Sequence, residues 1–252
     1  MTRDQRAKYN HYINRSFRDV ADSDYVAARA IYRLGLSQQF LWMALQAIEK
    51  YLKAILLYND VNTKNLGHDI AKACADLNQI SDITFDIPKD VEDFIRYLSS
   101  QGENRYFERP FYTRGSELLE LDRAVWYVRR YCQVLRSSVK MADGKSVDFF
   151  PLKLAEIHNS ETKENPAKFK ILGGHLEKLL RKPSRTRDAI IWKNFYFGTY
   201  RKRTITNFKW TSSSAIPANF NFPEIFLELD SKIKFSPAVK AYFQKLLHRP
   251  EG

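Results

Sequence analysis

The stretch SQQFLWMALQAIEKYLKAILLYND, Ser37 to Asp60, places apolar residues at Phe40, Leu41, Ala44, Leu45, Ala47, Ile48, Tyr51, Leu52, Ile55 and Leu56. That i, i+3, i+4, i+7 rhythm predicts a helix with a wide buried stripe. Ser37 stands where an N-cap is needed, Asn59-Asp60 where the helix should stop, and no Gly or Pro interrupts the run. Glu49 and Lys53, four residues apart, have the favourable orientation for a surface ion pair worth about 0.2–0.5 kcal/mol. The pattern alone describes a central core helix with a solvated charged edge.

Working outward, residues 3–18 are mixed polar with Tyr9, Tyr12, Ile13 and Phe17, which predicts a short helix or a docking tail. Asp22 or Ser23 is placed to cap a helix over Asp24–Leu34, and Gly35 to end it. So short a link to the central helix favours antiparallel neighbours. Beyond it, the polar link NDVNTKNLGHD leads to a predicted helix over Asp69–Gln79, with Ile70, Ala73, Cys74 and Leu77 facing in. Pro88 suits the first turn of the next helix, which runs to about Ser100 with Val91, Phe94, Ile95 and Leu98 at helical spacing. GENRYFERPFYTRGS is a loop rich in arginine and aromatic residues. Ser116 then opens a long amphipathic run from Leu118 to Leu135. Residues 1–139 are thus expected to form an antiparallel bundle of about five helices.

Residues 140–252 carry a weaker pattern and are expected to form a smaller, basic domain of mixed helix and short strand. VDFFPLKLAEIHN is expected to be a strand or a short helix, and FKILGGHLEKLL an apolar run, a Gly-Gly turn and a helix. Ser184 or Thr186 is placed to cap RDAIIWKNFYF up to Gly198. TITNFKWTSS alternates like a strand, and FPEIFLELD and AVKAYFQKLL read as helices. The fold class expected is mainly α.

Charge is divided unevenly. The chain of 252 residues has a formal charge of +12. Residues 1–139 hold 20 Lys/Arg against 18 Asp/Glu, and residues 140–252 hold 21 against 11. A nearly neutral scaffold joined to a part carrying about +10 points to an anionic partner, although net charge also serves solubility. Cys74 and Cys132 form neither a metal spacing nor a disulfide framework, which fits a reducing cytoplasm. No apolar run reaches the length of a membrane span, and the charged N-terminus has no apolar signal core, so neither a membrane nor a secretory route is expected.

Three features of the first half occur in order. The central helix contains Ala47-Ile48-Glu49-Lys50-Tyr51-Leu52-Lys53-Ala54, His68-Asp69 opens the next helix, and Arg105-Tyr106 lies in the loop before the last long helix. In these the segment resembles the HEPN family, whose members share an A-x-E-K-x-x-K-A pattern. The resemblance covers about residues 20–139. It implies an antiparallel bundle that commonly pairs as a homodimer, and a choice of two roles. Many members are metal-independent ribonucleases using an Arg, four to six residues, then a His near the start of the last helix. Others bind nucleotides or partner nucleotidyltransferases, sometimes within defence systems. This chain departs from the ribonuclease pattern, having no histidine between Arg105 and Arg136, and Phe107 in place of the usual proline. One Arg-x4-His match, Arg6 to His11, precedes the bundle helices.

RNA cleavage without a metal needs a proton-transfer group near neutral pH and a cation for the developing phosphorane. His68 and Arg105 are the candidates for those roles. The bland alternatives are a locally bonded helix-start histidine and a loop anchor. The binding candidates are Lys50, Lys53, Arg105, Tyr106, Arg109, Arg185, Arg187, Arg201, Lys202 and Arg203. The last five fall in Lys178–Lys209, which holds ten Lys/Arg against Asp188 alone, with Trp192, Phe195, Tyr196, Phe197, Tyr200 and Phe208 interleaved. Cations on the backbone with rings under bases is a design for sequence-tolerant single-strand binding. The competing reading makes most of those rings core. No metal-ligand spacing is present, Gly173-Gly174 is not a P-loop, and no cofactor is expected. The function expected is binding of RNA or a nucleotide. The alternatives are a non-catalytic dimerising module, or a ribonuclease with an atypical site near His68 and Arg105.

Overall fold

The computed structural model describes residues 1–101, 111–159, 166–198, 211–213, 224–232, 235 and 237–248. The chain opens with α1 (Arg3–Ile13), capped by Thr2 and Gln5 in a reciprocal capping box. It passes through a π turn, Asn14–Arg18, directly into α2 (Asp19–Arg33). A fresh helix start at Asp22 or Ser23, as the capping residues predict, is therefore corrected. Asp22 lies inside a continuing helix and is fully buried, because it is the anchor of an ion network rather than a cap. Gly35 does end the helix, adopting φ +76°.

The central helix α3 (Ser37–Tyr58) is 22 residues long, and all ten apolar positions of its stripe are buried. Ser37 is its first helical residue rather than its cap; Leu36 holds the N-cap position, with no side-chain bond. Asp60 at φ +60° turns the chain out of it. The expected charged edge is corrected in part: the Glu49–Lys53 pair forms at 2.7 Å, but Glu49 is itself buried.

α4 (Ile70–Leu77) starts where Asp69 accepts a hydrogen bond from the Lys72 N–H at 2.8 Å. α5 (Lys89–Gln101) buries Val91, Phe94, Ile95 and Leu98. α6 (Glu117–Arg129) is shorter than expected and gives way to turns, although Tyr131, Cys132 and Leu135 stay buried beyond it. These helices surround α3, so its apolar face is covered along its length.

The second half is not walled off from this core. A hairpin of β2 (Ser138–Lys140) and β3 (Ser146–Asp148) leads into α7 (Phe150–His158). Ile157, Phe169, Ile171, Leu176 and Ile190 belong to the same hydrophobic cluster as the bundle. α8 (His175–Arg181) and α9 (Arg185–Ile191) pack on α2. The helix expected to reach Gly198 stops at Ile191, and Asn194 takes over by accepting from the Tyr196 and Phe197 N–H groups at 2.9 and 3.0 Å. β1 (Phe111–Thr113) pairs antiparallel with β4 (Thr211–Ser213), the described end of the expected strand. α10 (Glu224–Asp230) and α11 (Pro237–Leu247) share a small separate cluster around Phe226 and Phe243, stacked at 4.2 Å. Among the described residues no helix is long and apolar enough to cross a membrane.

Candidate functional site

The motif on α3 converges with the His68 loop. Glu49 points one carboxylate oxygen at Lys53 Nζ, 2.7 Å, and the other at His68 Nδ1, 2.9 Å. Lys53 also donates to the Gly67 carbonyl at 2.6 Å, which fixes the loop that carries the histidine. Burial works to raise the Glu49 carboxyl, but the hydrogen bonds from Lys53 and His68 outweigh it and hold the group below its usual range. His68 is 57% exposed in its side chain, so a buried carboxylate orients a solvent-facing imidazole. Lys50 donates to Asp24 at 2.7 Å and to Gln46 at 3.0 Å. Both lysines of the motif are thus engaged by the bundle's own carboxylates. Arg105, Tyr106 and Arg109 lie outside the described residues. Arg6 forms a bidentate pair with Asp60 at 2.7 and 2.6 Å, across from α3, rather than pairing with His11.

The basic segment is organised around α8 and α9. Ser184 caps α9 by accepting from the Arg187 N–H at 3.1 Å. Lys170, Lys178, Arg181, Lys182, Arg185 and Lys193 are exposed, and none forms an ion pair among the described residues. Arg187 is half-buried, its Nε donating to the Leu180 carbonyl at 3.1 Å. Arg201, Lys202 and Arg203 lie outside the described residues. The interleaved rings divide. Trp192 sits beneath Arg33, with the guanidinium 4.9 Å from its centroid, and Phe197 packs edge-on against buried Tyr25 at 5.7 Å. Those two are partly core, as the competing reading had it.

Between the Pro166–Gly173 stretch and the α8–α9 pair lies a cleft of about 540 Å³. Phe169, Lys170, Glu177, Arg181, Arg187, Tyr196 and Phe197 line it. Arg187 was legible as a candidate. Arg181 belonged to the basic run read from the sequence, but Lys170 and the ring of Phe169 were not legible, because the sequence does not show that residues 166–173 fold back over α8.

A buried ion network shapes this cleft. Asp22 accepts from Arg129 Nε and Nη2 at 2.7 and 2.9 Å, from the Tyr51 hydroxyl at 2.5 Å, and from the Leu176 N–H at 2.8 Å. Arg129 in turn donates to both oxygens of Glu177 at 2.7 Å. Glu177 also accepts from the Ile171 N–H at 2.9 Å. A Cβ on Gly174 would lie 1.9 Å from the Glu177 carboxylate, which is why the second glycine of the pair is needed. Burial raises both Asp22 and Glu177, but the Arg129 guanidinium outweighs it and holds both carboxyls low. A parallel tie runs from Arg29, which pairs with Asp122 and donates to the Ala189 carbonyl at 2.9 Å and to the Trp192 carbonyl. Two buried arginines therefore bolt the basic segment to the bundle.

Comparison with known proteins agrees with the motifs. The family model described as HEPN domain matches residues 15–137. No curated protein and no solved structure matches the chain. The match spans α2 through α6, with the Glu49–Lys53 motif and His68-Asp69 inside it. Residues 15–137 of this protein are a HEPN domain, a family associated with nucleotide- and RNA-related functions.

Proposed function

We propose that this protein binds RNA or a nucleotide, and that its anion-binding surface is the basic segment packed on the HEPN bundle rather than the bundle's own motif lysines. The observation that carries the reading is the set of exposed cations without an ion-pair partner among the described residues, Lys170, Lys178, Arg181, Lys182 and Arg185, on helices tied to the bundle by Arg29 and Arg129. Self-pairing would have neutralised such a surface; here the pairs are formed in the bundle, at Lys50 and Lys53. Single-stranded RNA should bind with log K falling linearly in log salt, with a slope of about −0.7 per phosphate neutralised. Fluorescence anisotropy at several salt concentrations measures it, and a flat response would remove the electrostatic basis of the reading. A homodimer, and a nucleotidyltransferase or defence-system protein as partner, are carried by the family resemblance alone.

A second reading is favoured by one observation, the Glu49–His68 contact. A buried carboxylate behind an exposed imidazole is an arrangement for moving a proton. In this reading the protein is a ribonuclease without the family's usual arginine–histidine spacing. His68→Ala should abolish cleavage of single-stranded RNA with the melting temperature unmoved, since Lys53 still satisfies Glu49. Equal cleavage by variant and parent leaves the histidine as a loop anchor.

A further inference from the structure

The cleft beside α8 has features that diffuse positive charge does not need. It holds about 540 Å³, within the range of small-ligand sites, roughly 300–1,000 Å³. Three cations border it: Lys170, Arg181 and Arg187. Among the described lining residues the one carboxylate is Glu177, which faces the buried Arg129 and the Ile171 N–H; Arg129 also serves Asp22, so this network keeps one net negative charge against the three cations. Arg187 is held by its Nε on the Leu180 carbonyl, which orients the guanidinium and leaves its terminal nitrogens without a partner among the described residues. Aromatic surface completes the lining: Phe169, Tyr196 and Phe197. Tyr196 is steadied by Trp126, ring centroids 5.8 Å apart.

We propose that this cleft is a subsite for one nucleotide, with the phosphate held by Lys170, Arg181 and Arg187 and the base against Tyr196 and Phe197. The subsite rests on the reading above, that the protein binds RNA or a nucleotide, and names the unit recognised. A guanidinium fork and an ammonium suit a phosphate, and a flat ring suits an aromatic wall. A peptide of acidic residues alone would meet the cations but offers no ring to the wall. A free phosphate would leave most of the cleft unfilled. The site lies outside the matched HEPN segment, in residues 166–198.

The test uses the full chain, a fluorescein-labelled single-stranded RNA oligonucleotide, AMP and inorganic phosphate. Two double variants remove equal charge: Lys170→Gln with Arg181→Gln inside the cleft, and Lys178→Gln with Lys182→Gln outside it. All four side chains are exposed, so neither variant disturbs the core. The cleft pair should weaken RNA binding roughly tenfold or more, against about threefold for the outer pair. AMP should bind the parent more tightly than inorganic phosphate and should lose that binding in the cleft pair. If both pairs weaken RNA equally, the cleft proposal falls while RNA binding stands. If RNA fails to bind but AMP binds and depends on the cleft pair, the RNA reading falls and the subsite survives as a site for a free nucleotide. AMP binding no tighter than phosphate, or displacement of AMP by polyglutamate at equal charge, overturns the subsite.

Discussion

Arg129→Met is expected to lower the unfolding free energy by about 3–5 kcal/mol, the cost of stripping one partner from a buried ion network. Arg129 is 3% exposed and satisfies Asp22 and Glu177 together. Without it, Asp22 keeps only the Tyr51 hydroxyl and the Leu176 N–H among the described residues, at a fully buried position. The pH dependence identifies the cause. In the parent, Asp22 and Glu177 are held below their unfolded values, so their contribution is complete above about pH 4 and is lost as pH falls through the folded values. In the variant, only the Tyr51 and Leu176 hydrogen bonds oppose the burial of Asp22, so its carboxyl rises from the parent's value and the destabilisation is full at neutral pH and shrinks as acid protonates the group. The gap between parent and variant in urea denaturation should therefore narrow toward acid. A gap constant with pH would mean that lost packing of the arginine stem, not charge, is responsible. RNA affinity should also fall at neutral pH, because Glu177 would then face Lys170 and Arg181 as an unneutralised anion.

The second large effect lies in the central helix. Leu52→Ala should cost about 2–5 kcal/mol, the range for a buried leucine whose cavity cannot fully collapse. Leu52 is completely buried on α3, enclosed by the bundle on every side. The urea midpoint should drop with the slope unchanged, the mark of a stability change without a change of state. Gln39→Ala, exposed on the first turn of the same helix, should stay within about 0.5 kcal/mol. Similar losses in the two variants would mean that the stripe from Phe40 to Leu56 does not carry the core.

These two sites also mark what could be read from the chain. Leu52 was legible: the periodicity of residues 37–60 names ten of the thirteen buried positions of α3, missing Glu49, Ala54 and Tyr58, and the same rule names most of the inward faces of α4 and α5. Asp69 as the residue that starts α4, Gly35 as the residue that ends α2, and Ser184 as the cap of α9 were equally legible, since each acts through neighbours a few residues away. Asp22 was not. Its position before an apolar run is that of a cap, and its four bonds come from residues 29 to 154 positions distant. The pairing of Lys53 with Glu49 was legible from their four-residue spacing, but that of Lys50 with Asp24, 26 positions away, was not.

The sequence by itself determined the helical class, the order of the bundle helices, the family of residues 15–137 and the concentration of charge beyond residue 139. Each is a property of local periodicity, local capping or composition, which act at short range along the chain. Only the tertiary structure decided that Ile157, Phe169, Ile171, Leu176 and Ile190 share the bundle's core, that Arg29 and Arg129 tie α8 and α9 to it, and that Lys170, Arg181 and Arg187 meet around one cleft. Those facts depend on which distant groups meet when the apolar surface closes, because a buried charge must find its counter-charge wherever the folded chain brings one.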